Sequence, residues 1–246
     1  MIMNTKKILN IFTPQKIKNY FKELGVSEYK SQIEHAFVSF GQEGEDVIIN
    51  RLLGSKQNGF YVDVGAHHPK RFSNTYSFYQ KGWKGINIDA MPNSMLAFNK
   101  ERPRDINLEI GVSKKEEELT YYMFNEPALN TFSKKEAIKK QSLPRYKVIE
   151  EKRILTYPLK SILDKHLKKK IHIDFMSIDV EGLDLDVLES NDWNKYRPSI
   201  LLVEDLGDLS ITKIEENSLV FKFLKEKNYN FFAKTFNTLF FKDGQS

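Results

Sequence analysis

The sequence predicts an α/β fold, a mostly parallel sheet with helices on both faces that closes on an antiparallel hairpin. Two observations carry this. From Phe60 onward, short apolar runs of strand length alternate with helical stretches, the pattern of parallel strands buried under helices. At the C-terminus, NYNFFAKTF and NTLFFKD follow one another with no helix between them, which reads as two antiparallel strands. The 246 residues, 40% hydrophobic and 29% charged, suit one domain with a real core. No internal repeat or Gly/Ser linker divides them.

In chain order, FYVDV (Phe60 to Val64) is the first strand, followed by a helix around Asn74 to Lys81. GINIDA is the second strand and ends in Asp89. PNSMLAFNKE then starts a helix, with Asn93 placed to cap it behind Pro92. DINLEIGVS, Asp105 to Ser113, is the third strand, and ELTYYMF another extended piece. Between Asn125 and Thr156 the pattern weakens into a lysine-rich stretch with two prolines. A loop that long inside a domain is usually functional or disordered, so it reads as a lid or substrate-facing insertion. Pro158 suits the first turn of the next helix. HIDFMSIDVEG and RPSILLVEDLG are buried strands ending in acids, separated by the helix of LDLDVLESNDW, and SLVFKFLKEKNY is an amphipathic helix.

Composition excludes several classes. Zero cysteines exclude a disulfide framework and thiolate metal sites, and fit a cytoplasmic protein. A net charge of +5 is mildly basic, and no nucleic-acid motif accompanies the scattered lysines. Such a surface suits an anionic small substrate, such as a nucleotide-linked sugar or an acidic glycan. No window of 18 apolar residues is present, so no transmembrane helix is expected. Residues 1–36 read as an N-terminal helical extension, placing Ile17, Phe21 and Leu24 on one face beside Lys16, Lys18 and Lys22. That face packs on the domain, on a partner subunit in a homo-oligomer, or weakly on a membrane surface.

Four strands end in acids: Asp63, Asp89, Asp179 with Glu181, and Glu204 with Asp205. In open α/β sheets such strand ends converge on one ligand-binding rim. In the first turn, Gly65 and Ala66 follow Asp63, and a glycine there permits close approach of a ligand to backbone. Asp89 ends the neighbouring strand, where a carboxylate accepts hydrogen bonds from ribose hydroxyls. A Gly-rich GxGxxG turn is missing, and nothing is shaped to hold a pyrophosphate. A cofactor with a ribose and no phosphate fits better, which points to S-adenosylmethionine.

The ordered segments SFGQEGEDVII, GFYVDVGAHHP, RFSNTYSFYQKGWKGINIDAMP, NLEIGVS, FMSIDVEGLDLDVL and NDWNKYRPSILLVE resemble the FkbM family of S-adenosylmethionine-dependent methyltransferases. The likeness covers roughly residues 37 to 206. It implies the class I methyltransferase fold, a Rossmann-like seven-stranded sheet with one antiparallel strand, over residues 37–246. It places Asp63, Gly65, Ala66, Asp89 and Ala90 at the cofactor, with Gln42 in the motif lying over it. Ser73, Asn74 and Thr75 open the following helix, as caps or as further cofactor contacts. The departure from the family pattern is at His67-His68-Pro69.

Methyl transfer needs a group that takes the acceptor's proton, most simply a histidine. His68 and His67, just past Gly65, are the first candidates, with Asp179 also at the site; His35 is less pressing. By similarity to metal-dependent O-methyltransferases of the catechol type, Asp179, Glu204 and Asp205 form a candidate Mg2+ or Mn2+ site. The competing reading has Glu181 and Asp205 capping helices or pairing with lysines. Tyr157, Trp83 and the insertion are candidate acceptor contacts, Trp83 also reading as core. The expected activity is O-methylation of a small acceptor, most simply a sugar in polysaccharide biosynthesis. An inactive methyltransferase-like scaffold in glycan assembly and an NAD-type oxidoreductase are the alternatives.

Overall fold

The computed structural model describes residues 37–54, 56–167, 171–207 and 210–245. The predicted N-terminal extension, its amphipathic face and His35 lie outside them. Residues Phe40–Ser246 form one structural unit. It opens with helix α1 (Glu45–Leu53), strand β1 (Phe60–Val64), helix α2 (Tyr76–Gln80), strand β2 (Lys84–Asp89), helix α3 (Ser94–Glu101) and strand β3 (Ile106–Glu109). Strands β4 (Gly111–Val112) and β5 (Glu117–Phe124) follow, then a 3-10 turn at Pro127–Leu129, helix α4 (Lys134–Gln141) and strand β6 (Val148–Tyr157). Helix α5 (Leu159–His166), strand β7 (Phe175–Ile178), helix α6 (Asp184–Glu189) and strand β8 (Ile200–Glu204) continue the α/β alternation. Helices α7 (Ile214–Asn217) and α8 (Leu219–Glu226) lead into strands β9 (Tyr229–Lys234) and β10 (Thr238–Asp243).

Seven strands make the main sheet in the order β3-β2-β1-β7-β8-β10-β9. The pairs from β3 across to β8 are parallel, and β10 runs antiparallel to both β8 and β9. The predicted class I fold, with its single reversed strand and C-terminal hairpin, is the observed one.

Strand periodicity fills both faces. Val62, Val64, Met176, Ile178, Leu201, Val203, Leu239 and Phe241 point to one side, where they meet Leu159, Ile162 and Leu163 of α5, Val187 and Leu188 of α6, and Phe221 and Leu224 of α8. The alternate residues Tyr61, Phe175, Ile200, Leu202 and Phe240 meet Ile49 of α1, Phe78 of α2 and Trp83 on the other. Trp83 is 1% exposed and packs edge-on to Phe78 at 5.1 Å. It is core. Ser218 caps α8, its Oγ accepting the Phe221 N–H at 2.9 Å.

Three expectations change. Asn93 occupies the cap position of α3 in the left-handed region (φ 67°), and its side chain makes no capping hydrogen bond. The predicted third strand breaks after Glu109, because the chain leaves the main sheet there. Its continuation β4 joins β6 and β5 in a second, three-stranded sheet. A Cβ on Gly111 would sit 2.7 Å from the Thr156 side chain, so the glycine is what lets β6 lie that close. Residues 125–156 are also not irregular: α4 and most of β6 fall within them, and β6 pairs along the whole length of β5. The β-propensity of VIEEKRILTY is masked in sequence by its charged, solvent-facing residues. Among the described residues, no helix is long and apolar enough to cross a membrane.

Candidate active site

Strand register sets the site before any side chain is considered. Val64 pairs with Ile88 and with Ile178, and Ile178 pairs with Val203. The residues that follow, Gly65, Asp89, Asp179 and Glu204, therefore stand in one row along the carboxyl rim. β2 and β3 lie to one side of β1 and β7 and β8 to the other, so the row straddles the switch in strand order where open sheets bind ligands. A cavity of about 260 Å³ opens there. Of the predicted site residues, Gln42, Gly65, His67, Asp89, Ala90, Asp179 and Glu204 line it. Asp63, Ala66, His68, Ser73, Asn74, Thr75 and Asp205 do not.

The β1–β2 side is built from groups that hold one another. Gly65 has φ 82°, and a Cβ there would lie 1.6 Å from the Asp179 carbonyl oxygen. The sequence argument placed a ligand against this glycine; the close neighbour is the backbone of the adjoining strand. Gly65 and Ala66 both donate their N–H groups to the Ile88 carbonyl, and Asp179 donates to that of Val64, so the rim is stitched across all three strands. Asp89 is 8% exposed. Its Oδ1 accepts the Met91 N–H and its Oδ2 the His67 N–H, each at 2.8 Å. Burial raises its pKa and those two bonds lower it.

Asp63 sits beneath the turn, accepting the Thr75 hydroxyl at 2.7 Å. Burial pushes its pKa up to about 6, against the nearby Arg102 charge. Ser73 Oγ accepts the Tyr76 N–H at 3.1 Å, and Asn74 Nδ2 donates to Ser177 Oγ at 3.1 Å. The Ser73-Asn74-Thr75 cluster is thus spent on protein groups. Ala66 packs on Met95 and Phe98. Beneath them all, Arg102 is completely buried, donating to Asp105 (2.9 Å) and to the Tyr61 hydroxyl (2.8 Å). Nothing in ERPRD marks this arginine as a core residue.

The two histidines part company. His68 faces outward, its Nδ1 accepting the N–H groups of Lys70 (3.1 Å) and Arg71 (2.9 Å), which makes it a loop cap. His67 adopts φ 52° and faces the cavity, with Nε2 buried and unpartnered. Burial, then the charge of Arg71, lowers its pKa to about 4, so the ring is neutral at pH 7.

The β7–β8 side gathers acids. One oxygen each from Asp179, Glu181 and Glu204 lie within 4.8 Å of one another. Glu181 stands at φ 56° in the turn after β7, and Asp184 accepts the N–H groups of Val180 and Gly182 at 3.0 Å to hold that turn. Burial, reinforced by the neighbouring acids, raises Asp179 and Glu204 well above the ordinary carboxylate range. Asp179 lines the cavity and is the most exposed of the three acids. Lys140 of α4 donates to Glu181 Oε2 at 2.6 Å. Asp205 is elsewhere, accepting the Gly207 N–H (3.1 Å) and the Ser218 hydroxyl (2.5 Å).

Residues 125–156 roof this side. Pro127, Ala128, Leu129, Asn130, Phe132 and Lys140 line the cavity, and Thr131 Oγ1 donates to the Glu181 carbonyl at 2.7 Å. Arg71 forms a bidentate pair with Glu126, 2.9 Å on each branch, joining the roof to the first turn. Tyr157 does not line the cavity. Tyr121 and Lys140 do, unforeseen: Tyr121 alternates within an ordinary strand pattern, and Lys140 belongs to a lysine-rich helix whose default reading is solvated. A family model described as methyltransferase FkbM domain matches residues 63–231. A search of the curated proteins finds no match.

Proposed function

The chain belongs to the FkbM methyltransferase family, and from that premise we propose that it is an S-adenosylmethionine-dependent O-methyltransferase. Its acceptor is a hydroxyl of a small molecule, a sugar that is nucleotide-linked or part of a bacterial surface glycan. The observation that carries this reading is the mixed apolar and acidic lining of one cavity. Ile88, Ala90, Ile110, Val112, Tyr121 and Phe132 give the cavity apolar lining, with Asp89 among the lining residues, while Asp179, Glu181 and Glu204 give it acidic lining.

The donor set fits the cofactor. Lys140, the one cationic side chain among the described lining residues, is already bound to Glu181. A pyrophosphate would meet three carboxylates, whereas a ligand carrying sulfonium and ammonium charges meets the sign it needs. The apolar lining takes a purine, and Asp89, with a second lone pair on each oxygen, takes ribose hydroxyls. When bound, S-adenosylmethionine supplies an activated methyl group. The chain's own residues align the acceptor hydroxyl and receive its proton. His67 is the acceptor of that proton, because it lines the cavity and its Nε2 has no hydrogen-bond partner. The roof of residues 125–156 is the substrate-facing element and excludes water.

The test uses the full chain. Calorimetry with S-adenosylhomocysteine is expected to show saturable binding that Asp89→Ala weakens roughly a hundredfold, with no binding of NAD. Methyl-labelled cofactor offered with nucleotide sugars is expected to give alkali-stable ether label. Alkali-labile label would mean carboxyl methylation, and absent S-adenosylhomocysteine binding would end the proposal.

A further inference from the structure

We infer that Asp179, Glu181 and Glu204 form a site for one oxygen-seeking divalent cation, Mg2+ or Mn2+, and that Lys140 is the counter-ion that such a cation displaces. The inference rests on the methyltransferase reading only for its consequence; the site itself stands on four observations.

Spacing comes first. Oxygens that bind one ion at roughly 2.0 to 2.6 Å are at most about 5 Å apart, and the three carboxylates already present oxygens within 4.8 Å of one another. No rearrangement of the strands is needed to bring them together. The second observation is independent of spacing. Glu204 is 8% exposed and lines the cavity, yet its Oε2 is buried with no hydrogen-bond partner. A buried carboxylate oxygen without a donor is costly, and a cation at this point is the partner that the protein does not supply.

Charge is the third. With an ion bound and all three carboxylates ionised the set would carry −3, which the single +1 of Lys140 offsets less well than a divalent ion does. Asp184, the next acid along, is outside the set: it does not line the cavity, and its oxygens accept the backbone N–H groups of the turn. It holds the turn that carries Glu181. The last observation concerns Lys140 itself. Its ammonium is held by Glu181 Oε2 (2.6 Å) and the Leu129 carbonyl (3.2 Å), on a roof helix and not on the sheet. A long, unbranched lysine can withdraw from Glu181 without disturbing the strand ends. Occupation of the site is thereby coupled to the roof over the cavity. An ion here also acidifies a hydroxyl bound beside it, which suits a proton acceptor as weakly basic as His67.

The set differs from the one expected from sequence. Asp205 drops out, since it caps the loop before α8, and Glu181 takes its place.

Titration of the full chain with Mn2+ alone, followed by the electron paramagnetic resonance of the free ion, tests this without activity. The expected result is one saturable site per chain. Glu204→Gln and Asp179→Asn should each weaken it at least tenfold, Lys140→Met should tighten it, and Asp205→Asn should leave it within twofold. Thermal melting of each variant separates a lost site from a lost fold, and a misfolded Asp179→Asn leaves the isosteric Glu204→Gln to decide. Absence of saturable binding, or affinity unchanged in Glu204→Gln, overturns the site. Unchanged or weaker affinity in Lys140→Met overturns the counter-ion role. S-adenosylhomocysteine calorimetry on the same samples distinguishes failure of the cation site from failure of the methyltransferase reading.

Discussion

The two sides of the rim carry the same outward signature, apolar strands that each end in an acid, and use it for opposite purposes. On the β1–β2 side the acids are engaged by the protein: Asp63 by Thr75, Asp89 by two backbone N–H groups. On the β7–β8 side three acids crowd together around a single lysine, and Glu204 keeps an oxygen with no partner at all. An acid satisfied by the fold is held in one orientation and has only its remaining lone pairs to offer a ligand; an acid left unsatisfied costs stability and is retained for a ligand.

The largest effect that would break this comparison is at the seam between the two sides. Gly65→Ala places a Cβ 1.6 Å from the Asp179 carbonyl at a φ that favours glycine. One of the two strands must move. We expect a loss of about 4 kcal/mol or more, at the exceptional end for one substitution, with urea unfolding as the measure and S-adenosylhomocysteine binding lost as well.

Next in size are paired substitutions, one from each side. Asp89→Asn should lower both stability and cofactor affinity, because the amide can no longer accept both backbone N–H groups in full; roughly 1 to 2 kcal/mol of stability is at stake. Glu204→Gln should do the reverse for stability, raising it by about 1 kcal/mol through removal of a buried acid whose ionisation the fold disfavours, while methyl transfer falls at least tenfold. Thermal melting and single-turnover transfer on the two variants decide it. If both lose stability alike, the distinction between the sides fails.

Much of this was legible in the sequence, and the misses have physical causes. Strand ends such as FYVDV and FMSID follow directly from β-branched and aromatic runs broken at an acid, so the row Gly65, Asp89, Asp179, Glu204 could be anticipated. What could not was which way each side chain turns. His67 and His68 are adjacent and chemically identical, yet one backbone dihedral sends the first into the cavity and leaves the second capping Lys70 and Arg71. Glu204 and Asp205 are likewise adjacent, but the first ends β8 and lines the cavity while the second lies beyond the strand and holds the loop. Lys140 and Arg102 were missed because long-range contact, absent from local pattern, decides whether a cation is buried.

A smaller effect is carried by pH. Asp184 is raised to about 7 and Asp63 to about 6, and Asp179, Glu181 and Glu204 are also raised, chiefly by burial. A carboxyl raised in the folded state binds more protons there than in the unfolded chain, so its contribution is fully present at low pH and lost as pH rises through the folded value. His67, lowered to about 4, acts the other way: its contribution is present above its unfolded value near 6.5 and lost as pH falls toward 4. The acids outnumber it. Stability is therefore expected to decline as pH rises from about 5 to 7, and the slope should be shallower in Glu204→Gln than in Asp63→Asn, because the β7–β8 side holds more of the raised groups. Urea midpoints at half-unit intervals would show it, and a flat profile in the parent protein would contradict the assignment of strained acids to that side.

The smallest effect is the most discriminating for Asp205. It stands beside Glu204 in sequence, yet its two oxygens accept the Gly207 N–H and the Ser218 hydroxyl. Ser218 in turn caps α8 through the Phe221 N–H. Asp205→Asn keeps one acceptor and the side-chain shape, so the loss should stay near 1 kcal/mol, the usual worth of one such bond. Methyl transfer and cofactor affinity should not change beyond twofold, because the side chain is not among those lining the cavity. A drop in transfer comparable to that of Glu204→Gln would instead place Asp205 with the reserved acids and move the boundary between the two kinds of carboxylate by one residue.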